Sequence, residues 1–246
     1  MVLEVQTKMV TSRGSIYLSG AMEFAESGDL GADWRVACTK RLGQMGYSAI
    51  DITALDVEYS KTHSDLFRCA TVDGNVAAAL LQRKANIRQH FIHADIQLID
   101  HHTDALIVKY CAGVRRGAGT ISECQHAYNQ SIPIFMVNSF QNDSEIPGWL
   151  FALTTKIFNT FEELYEYLDK LPDGILKFDK YKNRRSGMHY LCSLCGAAEE
   201  KHKTHFVSTV SPLYCKACVE LVKTTNESYV DRYDFFEQML KEQEEK

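Results

Sequence analysis

Ala105-Leu106-Ile107-Val108-Lys109-Tyr110 is the stretch on which the fold turns. It is too short for an ordinary helix and almost continuously apolar, the pattern of a strand buried on both faces. It leads through Gly113, Gly117 and Gly119 into a helical pattern over Ile121–Gln130, then into a second apolar run, Ile132–Val137. Two buried strands joined by a helix must run parallel, because a parallel pair needs a long crossover. The same alternation extends towards the amino terminus. Ser15–Gly20 (SIYLSG) reads as a first strand, Asp33–Leu42 as a helix stopped by Gly43 and Gly46, and Ser48–Ile52 as a second strand. A polar stretch, Asp56–Asp73, carries few structural signals, as functional loops often do. One long helix is expected over Val76–His101, with Leu80, Ile87, Phe91, Ala94 and Leu98 as its apolar positions. After Pro147 the expectation is a strand over Phe151–Phe158 and a helix over Phe161–Leu171, with Asn159 and Thr160 as candidate caps. The fold class is therefore α/β, a doubly wound parallel sheet flanked by helices.

The rest of the chain is a different kind of polymer. Lys177–Arg185 is polar, basic and poorly patterned, and reads as a linker. The expected organisation is an α/β domain over residues 1–172, a linker over 173–188, and a small module over 189–246 ending in a helix from about Tyr229. Cys192, Cys195, Cys215 and Cys218 fall in that module as C-x2-C-x19-C-x2-C. Two such knuckles can set four thiolates at the corners of a tetrahedron, so a zinc ribbon holding one structural Zn2+ is expected. Cys38, Cys69, Cys111 and Cys124 are scattered among apolar neighbours and read as buried reduced thiols.

Composition narrows the classes. Of the 246 residues 45% are hydrophobic and 24% charged, enough for a core and too apolar for wholesale disorder. A net charge of -5 argues against a protein built chiefly to grip nucleic acid. No apolar run reaches the ~18 residues of a spanning helix. The opening MVLEVQTKMVTSRGS has no uninterrupted hydrophobic stretch, so a cytoplasmic setting without a membrane partner is expected.

Two carboxylates stand out. Asp95 lies four residues after Phe91 and three before Leu98, which on a regular helix places it on the core-facing side, with Arg88 two turns earlier. An inward carboxylate is costly unless paired or used, so Asp95 is either half of an Arg88–Asp95 ion pair or an active-site group. Glu123 follows Arg115-Arg116-Gly117-Ala118-Gly119-Thr120 directly after the central strand. Thr120 and Glu123 have capping-box spacing, which needs no chemistry. The alternative is a nucleophile: ligands bind at the carboxyl edge of open parallel sheets, and a helix amino end favours an ionised carboxylate. Tyr17 and Ser19 on the first strand reach the same edge. Arg35, Arg115 and Arg116 are either solvated or placed for a phosphate.

Together these stretches resemble one family. IYLSGAMEFAESGDLGADWR, GYSAIDITALD, Arg88 to Asp95, ALIVKY and GAGTISECQHAYNQSIPIF are similar in order and spacing to nucleoside 2-deoxyribosyltransferases, in the divergent branch found in phage and bacterial genomes. The similarity spans roughly residues 14 to 170, where WLFALTTKIFNTFEELYEYL resembles the branch's closing elements. It implies a glutamate nucleophile at Glu123, the family tyrosine at Tyr17 and the helix aspartate at Asp95. Ser19, Gly20, Arg35, Arg88, Gly117, Gly119 and Thr120 fall at substrate-binding positions. Members often carry an Asp two residues before the Gly-Thr pair, where this chain has Gly117. The implied reaction breaks the N-glycosidic bond of a nucleoside or nucleotide and passes the sugar to another base or to water. A homo-oligomer is also implied.

Two other readings stay open at this stage. RRGAGTISE is similar to the glycine-rich motif of lysine-decarboxylase-like phosphoribohydrolases, with Arg115 or Arg116 on the phosphate. A non-catalytic nucleotide sensor is the other, its zinc ribbon contacting nucleic acid or protein.

Overall fold

The structure is a computed structural model that describes residues 13–22, 24–25, 31–54, 76–140, 142–177, 204–206 and 213–215. Five parallel strands form one sheet: β1 (Ser15–Gly20), β2 (Ser48–Ile50), β3 (Ala105–Tyr110), β4 (Ile134–Asn138) and β5 (Lys156–Phe158), in the order β2-β1-β3-β4-β5. The sheet is wound in both directions from β1 and β3, which pair from Ile16–Ala105 to Gly20–Lys109. That boundary is the topological switch point, where connections leave towards opposite faces, the place at which open α/β sheets generally bind ligands.

Period-two alternation divides the core in two. Ile16 and Leu18 of β1 join Ile107, Phe135 and Phe158 on one face, beneath α1 (Ala32–Gln44) and α7 (Phe161–Lys170). Tyr17 of β1 joins Leu106, Val108, Ile134 and Met136 on the other. That face is covered by α3 (His93–His102), α4 (Ala112–Arg116), α5 (Gly119–Asn129) and α6 (Gly148–Leu153). α1 buries Arg35, Cys38 and Leu42, a single stripe at helical spacing, and ends where Gly46 takes a φ of 83°, the left-handed turn that glycine adopts without strain. Thr160 caps α7 by accepting from the Glu163 N–H at 3.1 Å, while the Glu163 carboxylate accepts from the Asn159 N–H at 2.9 Å. Ile175 and Leu176 pack into the α1–α7 core, so the unit runs past residue 172, the boundary expected from sequence.

Three expectations are corrected. The stretch after Pro147 is not one strand over Phe151–Phe158. Gly148–Leu153 forms α6, with Leu150 and Leu153 buried at i and i+3, and only Lys156–Phe158 pairs with β4. An apolar run too short to settle its own period resolves here as a helical turn. The helix over Val76–His101 is three segments in series: α2 (Val76–Asn86), a π-helical stretch (Ile87–Ile92) and α3. A π turn holds more residues than an α turn, so positions before it rotate relative to those after it. Leu80, Ile87 and Ala94 are accordingly exposed, and Ile99 is the residue α3 buries. Arg88 is exposed too, so it does not share a buried face with Asp95. A helix the sequence did not suggest, α4, follows β3 directly.

Among the described residues no helix is long and apolar enough to cross a membrane. A separate antiparallel pair, β6 (Thr204–Phe206) and β7 (Leu213–Cys215), belongs to the carboxyl-terminal stretch. The Asp56–Asp73 loop, the greater part of the linker, Cys69, Cys192, Cys195, Cys218 and the expected terminal helix lie outside the described residues.

Candidate active site

β1 points Tyr17 and Ser19 to the same side because strand side chains alternate. α5 leaves the β3 side of the switch point and buries Thr120, Glu123, Cys124 and Ala127 on the stripe facing that strand. The two elements meet at one carboxylate. Tyr17 Oη donates to Glu123 Oε1 at 2.9 Å, and Ser19 Oγ donates to Glu123 Oε2. Each oxygen of Glu123 therefore has a hydroxyl donor from the neighbouring strand. Each also keeps acceptor capacity, since a carboxylate offers about four lone-pair directions.

This geometry removes the capping-box reading. The residue at the amino end of α5 is Ala118, with no side-chain cap, and Thr120 is buried one turn before Glu123. Glu123 is the fifth residue of α5, beyond the first turn in which the helix terminus acts strongly, so its ionisation is governed by nearer groups. Burial pushes its carboxyl up from the ordinary range; the Ser19 and Tyr17 hydroxyls and the Arg35 charge pull it back, and the net direction is upward. Only 7% of Glu123 is exposed. The Tyr17 phenol is held well above its usual range by burial, then by the Glu123 and Asp95 charges, and so remains a donor.

α3 carries Asp95 to the same neighbourhood. It is half-buried, and its charge reaches the Tyr17 hydroxyl. α3 is tied to α5 by a 2.8 Å contact between Asp100 and His126, one turn along from Glu123. The floor of the edge is built by close backbone approach. The segment after β1 lies so near α4 that a Cβ on Gly113 would overlap the Phe24 carbonyl. Gly117 lies against Phe24, while a Cβ on Gly119 would meet nothing within 4 Å among the described residues.

Arg115 does not stand free for a phosphate. Its guanidinium meets the Glu145 carboxylate at 2.5 Å, donates to Tyr110 Oη at 3.1 Å and lies 4.3 Å over Phe140. Arg116 is exposed and stacked 4.7 Å over Phe24. Arg35 is fully buried, neither solvated nor at the surface for a ligand. Cys38 and Cys124 are buried free thiols, as expected, with burial pushing Cys38 up to about 11 and Cys124 higher still; Cys111 is half-buried.

Of the expected site residues, Tyr17, Ser19, Glu123, Gly20 and Arg35 come together around the end of β1, with Asp95 and Thr120 beside them. Arg88 does not join them. Ser19 was expected on the substrate, yet here it holds the glutamate; the alternation of SIYLSG, which sets it on the same face as Tyr17, was the signal available. The Arg115–Glu145 contact left no sequence signal, since its partners lie 30 residues apart. Comparison of the chain with protein-family models, curated proteins and solved structures gave no match.

Proposed function

We propose that the protein cleaves the N-glycosidic bond of a nucleoside or nucleotide through Glu123 and passes the (deoxy)ribosyl group to another base or to water. The observation that carries this reading is the seating of Glu123: a buried carboxylate at the switch point of a parallel sheet, with hydroxyl donors on both oxygens. Such a group is oriented and desolvated, and the two hydroxyls and Arg35 draw its carboxyl back towards the ionised form that meets an oxocarbenium-like sugar carbon. One Glu123 oxygen bonds to C1′ as the bond to the base breaks, and the departing base nitrogen takes a proton. Asp95 is the group assigned to deliver it, half-buried on α3 with its charge felt at the same phenol. A second base or water then attacks C1′, giving its proton to the Asp95 carboxylate, and the Glu123 carboxylate is released. A phosphate-gripping reading has less support, because Arg115 is already paired with Glu145.

Incubating the full chain with a panel of nucleosides and nucleotides, with and without a second free base, tests the reading by chromatography. Free base is the expected product, with exchange when a second base is present. Release of ribose 5-phosphate from ribonucleotides alone would replace the reading with the phosphoribohydrolase one. A folded protein that releases no base from any substrate would leave a binding module.

The carboxyl-terminal cysteines are proposed to hold one structural zinc. β7 ends on Cys215, so the Cys215–Cys218 knuckle begins where the hairpin stops, and four thiolates are the donor set that closes a tetrahedral zinc site. Bound zinc would cross-link this short stretch and supply folding energy, with no part in the glycosidic step. Metal analysis should find about one zinc per chain, lost in Cys215→Ser. Zinc-free protein purified without chelator, or these cysteines paired as disulfides, would overturn the assignment.

A further inference from the structure

Arg35 is the largest fully buried side chain described, and it is a cation. Burying a guanidinium is unfavourable unless its donors are met. Here Nε donates to the Leu18 carbonyl at 3.3 Å, Nη1 to the Gly31 carbonyl at 2.9 Å and Nη2 to the Gly20 carbonyl at 2.9 Å. Its plane lies 4.7 Å over the Trp34 ring. Leu18 and Gly20 are the residues on either side of Ser19, whose hydroxyl donates to Glu123. The grip therefore falls on the backbone that carries one of the two donors of Glu123, approached from the opposite face of the sheet.

Two glycines make room for it. A Cβ on Gly20 would come within 3.0 Å of Trp34, and one on Gly31, whose φ is 72°, within 2.8 Å of Arg35 Nη1. A plain helix-to-sheet contact could be made by Leu or Ile. A planar fork with a fixed charge is needed only where three carbonyls and a nearby anion are to be served at once.

We propose that Arg35 is a positioning residue of this site: it clamps the carboxyl end of β1 to the start of α1, so that Ser19 and Tyr17 stay seated on Glu123, and it supplies the buried positive charge that balances that carboxylate. The inference rests on the glycosidic reading for its catalytic consequence, but not for its electrostatic one. The groups around Glu123 are Tyr17 and Ser19 on β1, Arg35 on α1, Asp95 and the His126-paired Asp100 on α3, and Cys124 and His126 on α5 itself. Among the described residues Arg35 is the cation whose charge lowers the Glu123 carboxyl against the effect of burial.

The test compares Arg35→Met and Arg35→Lys in the full chain. The Glu123 carboxyl is followed directly by carbon NMR of protein labelled at glutamate, with its signal assigned by Glu123→Gln. Arg35→Met should raise the Glu123 titration midpoint by about one unit or more and lower kcat about 10- to 100-fold, moving the acid limb of the pH profile upward. Arg35→Lys keeps the charge but cannot fork to three carbonyls. It should leave the midpoint near that of the unaltered protein while kcat still falls about tenfold with KM little changed. A folded Arg35→Met protein with an unmoved Glu123 midpoint would overturn the charge role. Full kcat in Arg35→Lys would overturn the clamp, and this variant decides the matter if Arg35→Met does not fold. If the unaltered protein releases no base, the glycosidic reading fails, yet the NMR midpoint still reports on Arg35.

Discussion

Glu123→Gln is expected to lower base release by about a thousandfold or more while raising the thermal unfolding midpoint at neutral pH. The loss follows from chemistry: an amide cannot form the glycosyl ester, though it fills the same space. The gain follows from linkage. Burial sets the folded-state pKa of Glu123 above its ordinary value of 4.5, so between those two values the folded chain binds more protons than the unfolded one. Stability therefore falls as pH rises through that interval, and the cost is present in full above it. Gln carries no such cost, so its advantage should grow as pH rises through that interval and vanish as pH falls below the unfolded pKa. Circular dichroism melts across this range, beside the chromatographic assay, read both effects. Near-normal turnover would end the nucleophile role, and a midpoint that does not rise would show that burial is not the dominant influence on Glu123.

The second large effect belongs to the two hydroxyls. Tyr17→Phe with Ser19→Ala leaves the carboxylate buried without its strand donors, and activity at neutral pH should fall about 10²- to 10⁴-fold. The pH profile should change with it. Both hydroxyls lower the Glu123 carboxyl, so losing them moves the acid limb upward, with Ser19 the stronger of the two. Ser19→Ala alone should therefore shift the limb further than Tyr17→Phe alone. A doubly substituted protein whose kcat/KM keeps the original limb would mean that these bonds do not set the charge of Glu123.

Much of this arrangement was legible because parallel strands buried on both faces announce themselves. SIYLSG and ALIVKY were read at their observed bounds, and the glycines after ALIVKY marked the edge where Glu123 lies. What escaped was set by phase and by distance. Placing Arg88 and Asp95 on one core-facing side assumed 3.6 residues per turn throughout, and the π-helical stretch that contains Arg88 breaks that assumption without any glycine or proline to signal it. The Phe151 run was too short to declare a period. Arg35 looked like a surface residue because nothing local says that three carbonyls wait for it. Thr120 and Glu123 matched a capping box by spacing, yet a competing pair of donors on another strand claimed the glutamate. Local patterns yield to tertiary contacts where a polar group has more than one available partner.

The way the site is put together also bears on when it exists. Tyr17 and Glu123 are 106 residues apart along the chain, and Ser19 and Glu123 are 104. Their meeting requires β1 and β3 to pair in register, and every strand pairing in this sheet is parallel and closes a long loop. Loop closure of that kind is entropically costly and slows folding. During synthesis the emerging chain holds Tyr17 and Ser19 long before Glu123 leaves the ribosome, so no amino-terminal intermediate can hold this buried carboxylate with its two donors. The seating of Glu123 between its two hydroxyl donors is thus a late event in the life of each molecule, reached only when the centre of the sheet has closed.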